Sequence, residues 1–245
     1  MINIAAIEAA TPVVMAAGVR QFQAFLTGAD DAAHAARLLE LMAPPVGAVV
    51  VDAGCGIGET ARLMHQRRPD LRFVLVNLSA AQLDLCPTDM ERVQADFCAM
   101  PLPDACADVV LYSYSASQCD DWRAMLGEAR RVLRPGGLVF IHDLADVGGA
   151  NHAAWNAAGA VVRSVDEMVR LAREAGFDVE DARLLEKGRD QLRLLMGGEE
   201  YAAFAQGIGS CAMRLRVGDG CDCGYTNAKK PSLGELVAYE DCVQA

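Results

Sequence analysis

Val50-Val-Asp-Ala-Gly-Cys-Gly-Ile-Gly-Glu59 is the stretch on which the fold of this chain turns. It closes a short apolar, β-branched run, Ala48 to Asp52, and passes through glycines 54, 56 and 58 into a helix-forming sequence. An apolar run of this length without alternation is the pattern of a strand buried on both faces of a parallel sheet. Glycine directly after such a strand lets the backbone take otherwise forbidden angles and come close to a ligand at the strand's carboxyl end.

Downstream, the pattern predicts a helix from Gly58 to about Arg67, a strand over Arg72–Asn77, a short helix opened by Ser79, and strands over Arg92–Ala95 and Ala107–Ser113. A helix from about Asp121 to Leu133, a strand over Leu138–Asp143, a helix over Val165–Ala175 and a strand from Phe177 to about Leu185 follow. Strands alternating with helices of this length define an α/β fold, a doubly wound and mostly parallel sheet. Arg189 to about Gln206 reads as mostly helical, broken at Gly197 and Gly198, and Glu235–Val243 reads as the final, seventh strand. Upstream, apolar residues recur at helical spacing from Ile2 to about Met42, with Gly28, Asp30 and Asp31 dividing two helices. A single domain is expected: an N-terminal helical cap over 1–46, a cofactor-binding core over 47–187, and a helical and loop insertion with the last strand over 188–245.

Composition narrows the function. The chain has 245 residues, 53% of them hydrophobic and 22% charged, the balance of a globular protein with a sizeable core. Its 22 Lys+Arg against 33 Asp+Glu leave a net charge of -11, which repels a phosphate backbone, so no nucleic-acid partner is expected. Nine cysteines are too few and too odd in number for a disulfide scaffold, and reduced thiols in the cytoplasm are the simpler reading. Met1–Gly18 is apolar enough to raise a signal peptide but lacks a basic leader and carries Glu8 and Pro12. No apolar run approaches the roughly 20 residues of a membrane span. Cys221 and Cys223, with Cys211 and Cys242, invite a zinc reading, yet C-x-C lacks the two-residue gap of a zinc knuckle and no histidine lies nearby, so no metal is expected. Lys229 and Lys230 read as a solvated loop.

The glycine loop departs from a dinucleotide fingerprint. G-x-G-x-x-G counted from Gly54 needs glycine at 59, where Glu59 stands and would meet a pyrophosphate with like charge at the helix start. Acid at the strand end suits an amine or a ribose better than a phosphate, which favours S-adenosylmethionine over NAD.

From Ala48 to Asp143 the sequence resembles the class I S-adenosylmethionine-dependent methyltransferases. After the glycine loop come Phe73-Val-Leu-Val-Asn-Leu-Ser79, Gln94-Ala-Asp-Phe97, Met100-Pro-Leu-Pro-Asp104, Ala107-Asp-Val-Val-Leu111 and Val132-Leu-Arg-Pro-Gly-Gly137, each similar to the family's successive motif and in its order. The resemblance implies a Rossmann-like methyltransferase sheet with S-adenosyl-L-methionine as cofactor. It makes Asp52, Gly54, Gly56 and Gly58 the loop around the methionine end, Asn77 and Leu78 the ribose end, Asp96 and Phe97 the frame of the adenine, and Ser113 a lining residue; Asp104 and Asp108 read as structural. Asn77 departs from the acid that usually binds both ribose hydroxyls, and a neutral amide there forfeits about 1 kcal/mol or more of charge-assisted bonding. Resembling enzymes of sterols, unsaturated lipids, prenyl diphosphates and polyketide-like metabolites often share this departure, which points to a small, hydrophobic acceptor in specialised metabolism.

Methyl transfer from a sulfonium is a direct displacement, so the protein aligns the acceptor and manages one proton. His142 is the first candidate base, with a structural histidine as the alternative, and Asp143 lies beside it. Tyr114 and Gln118 lie past Ser113 where acceptor-facing residues are expected, and His152 lies in a covering loop. His34 and His65 are helix residues with little claim to catalysis. The aligned stretch Tyr114-Ser-Ala-Ser-Gln118 has no glutamate of the kind that deprotonates a methylated alkene, which favours O- or N-methylation over C-methylation, with Asp120 or Asp121 as the nearest substitutes. Phe22, Phe25, Met196, Phe204 and Met213 are candidates for a greasy acceptor wall; completing the core or a homodimer contact is the other use of those segments. The rival readings are an RNA or protein methyltransferase, and a fold relative that binds S-adenosylmethionine without methylating.

Overall fold

Two helices, α1 (Ile4–Ala16) and α2 (Asp31–Met42), lead into β1 (Val49–Ala53), α3 (Glu59–Arg67), β2 (Arg72–Asn77), α4 (Ala80–Leu83), β3 (Glu91–Gln94) and β4 (Ala107–Ser113). Then come α5 (Trp122–Val132), β5 (Leu133–Asp146), α6 (His152–Ala157), α7 (Val165–Glu174), β6 (Phe177–Leu185), α8 (Leu192–Leu195), α9 (Gly198–Ala205) and β7 (Ile208–Val217). The structure is a computed structural model and describes residues 4–186, 188–196 and 198–218.

The strands form one seven-stranded sheet in the order β3-β2-β1-β4-β5-β7-β6. The first five are parallel, and β7 lies antiparallel between β5 and β6. Val50 and Val51 are both fully buried, as a strand covered on two faces requires. Val51 joins the cluster that includes Met125 and Leu126 of α5 and Met168 of α7, whereas Val50 joins the one that includes Leu38 of α2 and Met64 of α3. The chain direction of strand order reverses between β1 and β4, and this switch point opens a crevice at the strands' carboxyl ends.

Local chemistry fixes the helix starts. Asp30, Ser79, Asp121 and Ser164 each accept the backbone N–H three residues on, each such cap contributing about 1 kcal/mol. Asp108 accepts from the Val49 N–H at 2.8 Å and pairs with Arg134 at 2.6 Å, and Asp104 pairs with Arg131 at 2.6 Å, so both acids are structural.

Three parts of the sequence reading change. The helical spacing before Met42 is interrupted: α1 stops at Ala16, and residues 17–30 are irregular because Ala24 and Leu26 pair with Gln191 and Arg189 instead of continuing a helix. A sixth helix, α6, stands where loop was expected. The seventh strand is Ile208–Val217, inside the segment read as a pocket-covering insertion, and it carries Met213 into the main core; the strand expected at Glu235–Val243 lies outside the described residues, as do Cys221, Cys223, Cys242, Lys229 and Lys230. No helix among the described residues is long and apolar enough to cross a membrane, and no group of three or more metal-ligating side chains occurs among them.

Candidate functional site

The crevice at the switch point holds a cavity of about 250 Å³. Gly54 and Gly56 form its floor, with φ of 83° and 57°. A Cβ on Gly54 would lie 2.5 Å from Ser115 Cβ, while the space beside Gly56 is open for 4 Å, so the loop combines tight packing below with bare backbone facing the cavity. Asn77, Leu78, Phe97, Ser113 and Tyr114 are further walls. Asp52, Gly58 and Asp96, expected around the same ligand, do not line it. Asp52 is buried at the end of β1, its Oδ2 without a partner, and burial pushes its carboxyl up to about 7. Gly58 is the N-cap residue of α3, packed on Cys86 and Pro87. Asp96 is exposed beside Phe97 and accepts the Cys98 N–H at 2.8 Å.

Asn77 shows what the missing acid leaves. Its Nδ2 donates to the Gly56 carbonyl at 3.3 Å and to Gln82 Oε1 at 2.8 Å. Both donor hydrogens are committed inside the protein, so the amide offers a ligand one acceptor and no donor.

The N-terminal segment roofs this cavity. Ser79 Oγ donates to Glu8 Oε1 at 2.6 Å and Gln82 Nε2 to Thr11 Oγ1 at 2.9 Å, two bonds that pin α1 across the loop, where Ile7, Thr11 and Val14 line the cavity. Gln21 and Gln23 follow: both Nε2 atoms reach Thr60 Oγ1, at 3.3 and 3.4 Å, and Gln23 Nε2 also donates to Ser113 Oγ at 3.0 Å. Their Oε1 atoms are buried without partners. Glu59 is held by both nitrogen contacts of Arg62, at 2.8 and 2.7 Å, and by Arg20 at 3.6 Å; the Arg62 guanidinium is the main reason its carboxyl stays below the usual range. Its charge is therefore compensated within the wall.

A second chamber of about 490 Å³ adjoins the first, sharing Ile7, Ala10, Val14, Phe22, Gln23, Tyr114 and Gln118 with it. Ala24, Leu144, Trp155 and Leu192 are among its other walls, and Ser117 and Asn156 add polar atoms. No charged side chain occurs among its described lining residues. Trp155 is set by its indole N–H, which donates to the Phe204 carbonyl at 3.1 Å, and by edge-to-face packing on Phe204 at 5.0 Å.

The expected base does not reach either space. His142 is fully enclosed in β5, with neither ring nitrogen hydrogen-bonded and with the His34 and Tyr114 rings each 5.0 Å away; burial, then His34, holds it neutral well below its ordinary range. Asp143, on the other face, accepts from the Ser117 N–H and its own neighbour Leu144. Alternation along β5 sorts the two residues correctly to opposite faces, but both faces are core at that depth. Tyr114 does line both cavities with its ring, yet its hydroxyl accepts from the Phe25 N–H at 3.1 Å and is bonded to Ser210 Oγ at 2.6 Å, and burial raises the phenol well above its ordinary range. His152 is exposed and pairs with Asp146 at 3.0 Å, while Asp120 and Asp121 are exposed outside both chambers. Of the expected greasy wall only Phe22 lines a cavity; Phe25 is core, and Met196 and Phe204 pack behind Trp155. The sequence reading missed Gln21, Gln23 and Trp155, which carried no motif.

An open sheet in this order, with a glycine loop and roofed crevice at its switch point, is the class I S-adenosylmethionine-dependent methyltransferase fold. Residues 51–141 match the family model of the methyltransferase domain. Over 113 residues it is 34% identical to a malonyl-[acyl-carrier protein] O-methyltransferase of Yersinia pestis, covering 45% of this chain and 42% of the relative. A trans-aconitate 2-methyltransferase of an Azoarcus species is 36% identical over 123 residues, 49% of this chain and 48% of the relative. The chain thus spans less than half the length of these two relatives. Among solved structures, the cyclase SpnF superposes with a TM-score of 0.72 at 17% identity, over 86% of this chain and 93% of its own. Geranyl diphosphate C-methyltransferase from Streptomyces coelicolor, solved with geranyl diphosphate and S-adenosyl-L-homocysteine, gives 0.70 at 16% identity, over 82% and 92%. The family's cofactor suits the site: bare backbone at Gly56 faces the cavity, as an amino-acid ligand lying against the loop requires, and the buried, unpartnered Asp52 carboxylate stands two residues before Gly54, outside the cavity wall itself.

Proposed function

We propose that the protein transfers the methyl group of S-adenosylmethionine to a small, uncharged and largely apolar metabolite. The observation that carries this reading is the second chamber, which shares a wall with the cofactor cavity and has no charged side chain among its described lining residues. A carboxylate or diphosphate acceptor would enter it without a counter-charge, at a cost of several kcal/mol. The cofactor supplies an electrophilic methyl group when bound. The chain's own residues hold it on the Gly54–Gly56 backbone with Asn77 and Phe97 beside it, exclude water beneath α1, and orient the acceptor against Gln23, Tyr114 and Gln118. None of those three offers a free base, which suits an acceptor whose attacking atom holds its own lone pair, as in an amine or an acidic hydroxyl. The same observation favours a second reading, a fold relative that uses the chamber for a reaction other than methylation.

Calorimetry with S-adenosylmethionine and S-adenosylhomocysteine tests the shared premise. Production of S-adenosylhomocysteine is then measured with a neutral metabolite extract, with RNA, with protein, and with anionic acids such as malonyl thioester and trans-aconitate. Turnover on the neutral extract alone is expected; turnover on the anionic acids refutes the acceptor class, and cofactor binding without turnover on any pool favours the second reading.

A further inference from the structure

Four of the free cysteines form two pairs against the cofactor cavity. Cys55 and Cys86 both donate to the Gly56 carbonyl, at 3.6 and 3.5 Å. Cys98 follows Phe97 and Cys119 follows Gln118, two cavity residues on different loops, and their sulfurs lie 3.6 Å apart. We infer that Cys98 and Cys119 are a thiol pair that closes to a disulfide under peroxide and thereby reshapes the Phe97 wall of the cofactor cavity.

The two pairs differ in what an oxidant meets. Cys98 is half-buried and so reachable, with Cys119 buried directly behind it. The Cys98 hydrogen bond, with help from Arg163, draws the Cys119 thiol below its ordinary range, while the same contact and burial push Cys98 up, so Cys119 is the more acidic sulfur of the pair. Cys55 is likewise pushed up by Cys86 and by burial, and it and Cys86 both direct their thiols at the Gly56 carbonyl, whereas the Cys98 and Cys119 sulfurs face each other. In the reaction, the thiolate of the Cys98–Cys119 pair attacks one oxygen of hydrogen peroxide, forming a sulfenic acid and releasing hydroxide, which leaves as water. The second thiol then attacks that sulfur, the S–S bond forms, and a second water departs. Two thiols lose two electrons and two protons, and one peroxide is reduced to two waters.

Bond formation requires the sulfurs to close to about 2.05 Å, roughly 1.5 Å nearer than they stand. Phe97 and Gln118 are the chain neighbours of the moving residues, and Phe97 is held in the wall by edge-to-face packing on Tyr112 at 5.6 Å. A displacement of that size at a binding wall is expected to weaken cofactor affinity roughly tenfold or more.

The cross-link is independent of the proposed function, whereas its effect on the cofactor rests on that reading, and the test separates them. Reduced full-length protein is treated with hydrogen peroxide, alkylated, and cut before aspartate, which places Cys98 on fragment 96–103, Cys106 on 104–107 and Cys119 on 108–119. A linked 96–103/108–119 species, weaker binding of S-adenosylhomocysteine by calorimetry, and recovery of both with dithiothreitol are expected. Cys98→Ser should form no such species and keep its affinity through peroxide. Free, alkylated Cys98 and Cys119 after peroxide, or a link through Cys106, overturns the pair; a correct link with unchanged affinity overturns its control of the cavity. If the reduced protein binds no S-adenosylhomocysteine yet links as expected, the cofactor reading fails and the thiol pair stands.

Discussion

Asp52 is the acid whose charge this fold tolerates least. It is buried, its Oδ2 has no partner, and burial pushes its carboxyl up to about 7 from an ordinary 3.8. Between those values the folded protein keeps a proton that the unfolded chain has lost, so Asp52 makes stability fall as pH rises through this window and level off above about pH 7. At about 1.4 kcal/mol per pH unit, the full loss is on the order of 4 kcal/mol. Asparagine keeps the shape without the charge. The stability of Asp52→Asn relative to wild type should therefore climb between about pH 4 and about pH 7 and then hold, whatever constant offset the unpaired amide adds. Urea unfolding of both proteins across that range isolates Asp52, since every other titrating group is common to the two. A bound ammonium group nearby favours the carboxylate, so wild-type affinity for S-adenosylhomocysteine should rise over the same window while the variant's does not. A stability difference that is flat with pH would mean that Asp52 is ionised throughout in the folded protein, and the desolvation argument would fall.

Other perturbations follow from the same geometry. Gly54→Ala places a Cβ 2.5 Å from Ser115 Cβ at a φ of 83°, and should cost about 2–4 kcal/mol in thermal or urea unfolding; a loss under about 0.5 kcal/mol would show that the loop yields freely. Glu8→Ala with Thr11→Val removes the two bonds that pin α1, each worth about 1 kcal/mol, so cofactor affinity should drop by up to roughly thirtyfold with little change in global stability. Ala157→Arg puts a cation into the exposed end of the acceptor chamber; turnover of a neutral acceptor should fall while calorimetric affinity for S-adenosylhomocysteine is unchanged. Because α1, Phe22 and Gln23 wall both spaces, acceptor and cofactor should bind with positive coupling, read as a tighter acceptor Kd in the presence of S-adenosylhomocysteine and the reciprocal effect on the cofactor; equal affinities with and without it would refute this.

What was legible in the sequence follows the sheet's centre. Val50 and Val51, and Val74 to Val76, are continuous apolar runs because parallel strands in mid-sheet are covered on both faces, and their ends carry the turn residues that place Gly54, Asn77 and Ser113 at the cavity. β7 escaped because Gly209, Ser210, Cys211 and Ala212 are small and only weakly strand-forming; the strand exists because β5 and β6 pair with it on either side. His142 was misjudged for a related reason. Position along a strand fixes which face a side chain takes, but only the packing of α2 above it determines that this face is closed. Gln23 and Trp155 lie on segments placed by tertiary contacts alone, the Thr60 and Ser113 hydroxyls for one and the Phe204 carbonyl for the other.

The two chambers also differ in how far family likeness reaches into them. The walls of the smaller cavity from Gly54 to Gln82, with Phe97 and Ser113, lie within the stretch 51–141 that matches the methyltransferase model. Of the acceptor chamber's walls, only Tyr114, Ser117 and Gln118 do; the rest come from α1, residues 22–24, Leu144, residues 155–160 and Leu192. Similarity to enzymes named for malonyl or aconitate substrates is therefore similarity around the cavity proposed for the methyl donor. The chamber proposed for the acceptor is built mostly from elements outside the match, and those elements present alanine, leucine, tryptophan and amide groups where an anionic acceptor would need arginine or lysine. On the proposed function, acceptor choice follows the charge content of the N-terminal and α6 segments, and the core of the sheet is indifferent to it.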